Sequence, residues 1–145
     1  MERPIPIPDD VSKPFWEAAN ERRLVAQFCV ACSEWQHPPE RACAECGATP
    51  LEFRELSGAG TIYSVHVEHD SRVVVMQQHQ PYIVATVLAN ESPYAVFLTN
   101  LPGTSAGDVA FGKDGEQSVH IGARVAVEFE EVGAGRFVPQ FRVVS

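Results

Sequence analysis

The stretch Cys29-Val30-Ala31-Cys32-Ser33-Glu34-Trp35-Gln36-His37-Pro38-Pro39-Glu40-Arg41-Ala42-Cys43-Ala44-Glu45-Cys46-Gly47 decides how the chain is read. Two C-x2-C pairs stand ten residues apart, and they use all four cysteines of the 145-residue sequence. Each pair turns tightly enough for its sulfurs to converge, and two such knuckles complete a tetrahedron with Zn–S distances of about 2.3 Å. Gly47 follows the last cysteine, where a residue free to take positive φ relieves the turn. The stretch is too short and too polar for a hydrophobic core of its own, and a metal is the substitute. Structural zinc in small ribbons supplies roughly 10–16 kcal/mol of apparent binding free energy. Four thiolates leave no open coordination position, so the expected role is structural. Iron in a four-thiolate site, or a redox dithiol, is the alternative that the spacing leaves open.

N-terminal to this ribbon, Pro4, Pro6 and Pro8 block helix and favour an extended lead. Ser12 offers an N-cap and Pro14 suits a first turn, which predicts a helix over Ser12–Arg23. Phe15, Trp16 and Ala19 would lie along one side of it. So short a helix cannot bury both Phe15 and Trp16 by itself. They are the candidate partner-docking residues, with packing on the ribbon as the alternative.

Strand character runs through LVAQFCV into the first cysteine and returns over Leu51–Leu56. Beyond Ser57-Gly58-Ala59-Gly60 the chain reads as all-β. Five strands are expected: Thr61–Glu68, Tyr82–Ala89, Tyr94–Asn100, Arg124–Glu131 and Arg136–Val144. Turns fall at Asn90-Glu91-Ser92-Pro93 and Val132-Gly133-Ala134-Gly135. Five strands without a long helix suggest a small OB-type barrel. The expected protein is mainly β: an N-terminal extended segment and helix (1–24), a zinc ribbon (25–57) and a five-stranded OB-fold barrel (58–145). The connection Pro102–His120 is long for such a barrel and rich in Gly, Asp and Ser, as functional or mobile loops are.

Hydrophobic residues make up 45% of the chain and charged ones 21%, as in soluble globular proteins. Nineteen acidic against 11 basic side chains give a net charge of −8, which repels phosphate backbones at long range. Lys13 and Lys113 are the only lysines available for a basic patch. The opening residues lack a signal-peptide pattern, and the apolar runs Tyr82–Ala89 and Tyr94–Leu98 are too short to span a bilayer. The expectation is a cytoplasmic protein without a membrane segment, and in a reducing compartment paired C-x2-C motifs favour metal over disulfides.

The remaining candidates read as bland. His66 and His69, with Asp70 and His79 nearby, suggest a second metal, but strand positions three apart face opposite ways. Nothing in the sequence motifs assigns a role to His37 or His120. Gly103-Thr104-Ser105-Ala106-Gly107 matches G-x-S-x-G, with Asp108 or Asp114 and then His120 following. A nucleophile elbow needs a strand-to-helix turn there, and a flexible loop is the better reading. Gly58-Ala59-Gly60 lacks the following helix of a phosphate loop. Tyr63, Tyr82, Tyr94 and Phe97 could stack bases, but without a basic groove core packing is the better reading for most. No catalytic residue is assigned. A single-stranded nucleic-acid-binding module remains the alternative function, disfavoured by the charge.

Taken in order, the motifs are jointly specific. Pro14-Phe15-Trp16-Glu17 leads to Arg23-Leu24-Val25, Cys29-x2-Cys32, His37-Pro38-Pro39 and Cys43-x2-Cys46. Ser57-Gly58-x-Gly60-Thr61-Ile62-Tyr63-Ser64 follows, then Pro81-Tyr82-Ile83-Val84-Ala85 and Leu98-Thr99-Asn100-Leu101. Ile121-Gly122-x-Arg124-Val125 and Pro139-Gln140-Phe141-Arg142 close the series. This order resembles the thiolase-associated family of zinc-ribbon/OB-fold proteins over nearly the full chain. The resemblance implies a rubredoxin-like ribbon, a structural zinc on Cys29, Cys32, Cys43 and Cys46, and an accessory rather than catalytic role. It further implies a thiolase-fold partner (a thiolase, aldolase or related synthase) in a hetero-oligomer acting on acyl-CoA in lipid or steroid side-chain breakdown. Ribbon and barrel would dock on that partner and help form its coenzyme A channel. Ser71–Gln80 and the long connection after Gly103 depart from the family pattern.

Overall fold

The computed structural model describes residues 2–110 and 118–144. The chain turns into its helix through a reciprocal pair. The Asp9 carboxylate accepts from the Ser12 N–H at 2.7 Å, and the Ser12 hydroxyl accepts from the Asp9 N–H at 3.1 Å. Ser12 therefore does not cap the helix with its side chain, because its hydroxyl is spent backwards. Helix α1 spans Lys13–Asn20 with Pro14 in its first turn. It ends before the expected Arg23 because Arg22 takes φ 59° and the N–H groups of Glu21, Arg22 and Arg23 fold back on Ala18 and Ala19. Phe15, Ala18 and Ala19, spaced i, i+3, i+4, form its buried face.

The ribbon is a three-stranded antiparallel sheet with β1 (Val25–Phe28) in the centre, β2 (Trp35–Gln36) on one side and β3 (Glu52–Glu55) on the other. The second sheet holds β4 (Ala59–Glu68), β5 (Tyr82–Ala89), β6 (Ser92–Thr99), β7 (Arg124–Gly133) and β8 (Arg136–Val143) in the order β6-β5-β4-β7-β8. Strand β4 serves both halves. Gly60 to Glu68 pair with β5, Ala59 to Thr61 also pair with β7, and a bulge between Ile62 and Ser64 bends the strand. Gly60 permits this double pairing, since a Cβ there would sit 2.6 Å from the Leu88 carbonyl oxygen.

Side chains join the two edge strands of this curled sheet. The Gln140 side-chain oxygen accepts from the Asn100 N–H and from the Thr99 hydroxyl, each at 2.9 Å, and Thr99 Oγ1 accepts from the Phe141 N–H at 2.9 Å. Inside lie Ile62, Ile83, Val87, Phe97, Val125 and Phe141. Strand β5 alternates half-buried and buried along its whole length, so its continuous apolar run has one face in the core and one outside.

Both hairpin turns are tighter than expected, with two residues each: Asn90-Glu91 and Ala134-Gly135. Pro93 sits within β6 rather than in the turn, which an edge strand tolerates because no ladder partner needs its missing N–H. Both departing segments carry local structure among their described residues. Val74–His79 is a 3-10 helix with Met76 buried. Beneath it Ser71 collects bonds from the Tyr82 hydroxyl (2.7 Å) and the Gln77 amide (3.0 Å). The connection after Gly103 begins with a 3-10 turn at Ala106–Asp108, and its ends meet in a bridge between buried Val109 and Val119. That pinning replaces the expected flexible loop over 103–110 and 118–120. Lys113 and Asp114 lie outside the described residues.

The N-terminal strap is extended as its prolines dictate. Arg3 clamps it to the barrel through Glu130 at 2.5 Å and the Asn100 side chain at 2.7 Å, and Arg136 donates to the Pro6 carbonyl at 2.8 Å. No helix among the described residues is long and apolar enough to cross a membrane.

Candidate metal centre and its setting

The two knuckles share one backbone plan. The Cys29 carbonyl accepts from the Ser33 N–H at 2.7 Å, and the Cys43 carbonyl accepts from the Gly47 N–H at 2.9 Å. Cys29 donates to the Glu34 carbonyl at 2.8 Å and Cys43 to the Ala48 carbonyl at 3.0 Å. Each turn closes on a left-handed residue, Ser33 at φ 62° and Gly47 at φ 76°. The sequence marks only the second with a glycine.

All four sulfurs lie within 4.8 Å of one another, with Cys29–Cys46 and Cys32–Cys43 at 3.6 Å. A tetrahedron with arms of about 2.3 Å has edges of about 3.8 Å, so the donors fit a closed tetrathiolate site. Four sulfurs this close cannot all be anionic without a cation among them. Burial pushes the Cys32 thiol up to about 12, whereas the backbone N–H of Cys46 draws the Cys43 thiol down to about 7. The four cysteines are thus arranged to bind a metal, and they are the only such convergence of His, Cys, Asp and Glu among the described residues.

Two glutamines that sequence reasoning passed over hold the second knuckle in place. Gln27 is buried on β1; its amide donates to the Glu40 carbonyl at 2.7 Å and accepts from the Glu40 N–H at 2.8 Å. Gln36 donates to Gln27 at 2.9 Å and to the Ala42 carbonyl at 3.2 Å, and accepts from the Ala44 N–H at 2.9 Å. The available signal was a glutamine between Ala26 and Phe28, where a buried strand calls for an apolar residue. Replacing Gln27 with leucine removes the side-chain partner of both the Glu40 N–H and the Glu40 carbonyl. The expected loss is about 1–2 kcal/mol in denaturant melts.

Phe15 is 4% exposed, with its ring centroid 4.7 Å from His37 and 6.4 Å from Phe97. Trp16 is half-buried and lines a cleft of about 390 Å³ between the barrel's edge strands, together with Pro38, Pro39, Leu98 and Pro139. His37 joins ribbon to barrel: its N–H donates to the Tyr94 carbonyl at 3.1 Å, and its ring stacks on Phe97 at 4.2 Å. The buried Nδ1 of His37 has no partner among the described residues, and desolvation lowers its pKa to about 4.

The other candidates do not assemble into a site. Ser105 is the N-cap of the 3-10 turn, with its N–H 2.7 Å and its hydroxyl 3.3 Å from the Asp108 carboxylate, so it is not on an elbow. His66 is exposed beside Glu68 at 3.5 Å, and His69 is also exposed. Of the four aromatics, Phe97 is buried in the core and Tyr82 half-buried, but Tyr63 and Tyr94 are 63% and 52% exposed. They stand on the outward side of β4 and β6, a sidedness that short apolar strands do not reveal.

Residues 16–52 match the family model described as the ChsH2, rubredoxin-like zinc ribbon domain. A Thermomonospora curvata protein named probable enoyl-CoA hydratase alpha subunit is 34% identical over 129 residues, 88% of this chain. The chain spans only 36% of that relative's length. Among solved structures, a chain of an Ltp2-ChsH2(DUF35) aldolase superposes with a TM-score of 0.76 at 30% identity, covering 95% of this chain and 98% of that one. A DUF35 protein of unknown function from Sulfolobus solfataricus shares the fold, with a TM-score of 0.59 at 13% identity over 93% of this chain and 86% of that one. With a ribbon that matches the family model and a likeness that runs nearly end to end in both chains, this protein belongs to the ChsH2/DUF35 family of zinc-ribbon/OB-fold proteins, the family its ordered motifs resemble.

Proposed function

We propose that the chain is a non-catalytic accessory subunit of a thiolase-fold acyl-CoA enzyme, on which it docks and whose CoA and substrate channel it helps to form. The observation that carries this reading is the near full-length likeness to the ChsH2(DUF35) chain of an aldolase. The hydratase name of the Thermomonospora curvata relative supports an acyl-CoA thioester as the substrate class. Retro-aldol or thiolytic cleavage of a lipid or steroid side chain would be performed by the partner's own groups, in the cytoplasm.

In this reading residues 1–24, 25–57 and 58–145 act as strap and helix, ribbon, and barrel. One structural zinc on Cys29, Cys32, Cys43 and Cys46 holds the ribbon rigid. Trp16 offers the partner an apolar anchor from the cleft between the edge strands, and Phe15 supports it from beneath. The experiment is co-purification of the tagged chain from a native-like host, followed by assay on acyl-CoA substrates. The expected result is a near-stoichiometric thiolase-fold protein whose cleavage activity needs both chains. Enzymatic turnover by this chain alone would end the accessory reading.

A further inference from the structure

Where ribbon meets barrel there is a pocket of about 250 Å³. Trp35, Pro38 and Tyr94 give it apolar and aromatic walls, and Glu34, Glu40 and Glu45 also line it. None of these three carboxylates has an ion-pair partner among the described residues. Arg41, the basic residue nearest in sequence, is turned to Asp10 at 3.2 Å. Three acidic residues without an ion-pair partner among the described residues thus line a small aromatic-walled hollow.

The occupant this chemistry recognises is an organic cation. Aromatic faces attract guanidinium and ammonium groups, and carboxylates accept their N–H donors in charge-assisted bonds. A bare metal ion is the wrong shape, because only the four cysteines converge on one point among the described residues. The phosphates of coenzyme A are the wrong sign, since like charges at close range repel. The pocket also straddles two elements, β2 and β6, that His37 already ties together through its bond to the Tyr94 carbonyl. A side chain inserted there would grip ribbon and barrel at once.

We propose that this pocket receives an arginine- or lysine-bearing segment of the partner subunit. The proposal rests on the accessory reading above and assigns it a docking surface: the acidic ribbon–barrel junction faces protein, and any coenzyme A channel is built from another face. Such a contact sets association rate and salt dependence as much as affinity.

The test is equilibrium binding of the full chain to the partner recovered by co-purification, measured from about 50 mM to about 500 mM salt. Wild-type affinity is expected to fall with salt. The variant Glu34→Gln/Glu40→Gln/Glu45→Gln should bind at least about tenfold more weakly at low salt and lose most of the salt dependence. Asp70→Asn, an exposed change elsewhere, should leave binding unchanged. Metal content and melting temperature check that each variant is folded, and the double variant at exposed Glu40 and Glu45 replaces the triple one if that one is not. A folded variant that binds like wild type at every salt concentration overturns the proposal and leaves the accessory reading intact. Failure of the wild-type chain to bind any thiolase-fold partner overturns both.

Discussion

Replacing Cys43 with serine is expected to abolish stoichiometric zinc binding and unfold residues 25–57. Cys43 is buried, and its N–H and carbonyl close the second knuckle onto Ala48 and Gly47. Around the four sulfurs the ribbon has almost no apolar interior: Cys29 and Cys43 are buried, while the neighbouring Val30 is 59% exposed. Metal ligation must therefore supply what hydrophobic burial does not. The apparent binding free energy of about 10–16 kcal/mol for structural zinc exceeds or equals the stability of a typical domain, so losing one of four thiolates tips the local balance. Metal analysis should fall from one zinc per chain to near zero. Hydrogen exchange should show protection lost in β1–β3 and retained in the β4–β5 and β7–β8 ladders. A chelator should reproduce the effect on the wild type. A Cys43→Ser protein that keeps full protection in β1–β3 would refute a structural role for the metal.

The second large effect concerns His37. Its ring is wedged between Phe15 and Phe97, and its buried Nδ1 has no partner among the described residues, so the imidazolium is poorly tolerated there. Desolvation lowers the native pKa from 6.5 to about 4. Between those values the unfolded chain binds a proton that the native chain refuses. Stability from this group is therefore present above about pH 6.5 and is lost progressively as pH falls toward 4. The full difference is about 3 kcal/mol, and about 2 kcal/mol of it is gone by pH 5. His37→Phe keeps a flat ring against Phe97 and removes the titration. Denaturant melts of both proteins at pH 7.5 and pH 5 should show the variant gaining about 2 kcal/mol on the wild type across that interval. Loss of zinc in acid affects both proteins and cancels in the difference. Equal slopes for the two proteins would show that His37 is hydrated in solution.

Local chemistry made some of this protein legible in advance. Four cysteines at this fixed spacing have few ways to be satisfied together other than around one metal, and the sulfurs converge as the spacing implies. The five barrel strands were readable because β-branched and aromatic residues cluster between turn signals, and Tyr82–Ala89 appears with its expected bounds. Boundaries were less legible. The end of α1 depends on Arg22 taking a left-handed conformation, and a two-residue turn at Asn90-Glu91 is possible only because β6 lies at a sheet edge. Gln27 and Gln36 were missed for a related reason: a glutamine's role depends on which backbone amides face it, here those of Glu40, Ala42 and Ala44.

The sequence by itself determined the knuckles, the strand set and the order of segments, because these rest on covalent spacing and on side-chain preferences within a few residues. Only the tertiary structure decided which faces are free. It buried Phe15 against His37 and Phe97, left Trp16 at the lip of a cleft, turned Tyr63 and Tyr94 outward, and gathered Glu34, Glu40 and Glu45 around one hollow. Those outcomes depend on how elements distant in the chain pack on one another, where burial and charge are set by those neighbours rather than by the residue and its own strand.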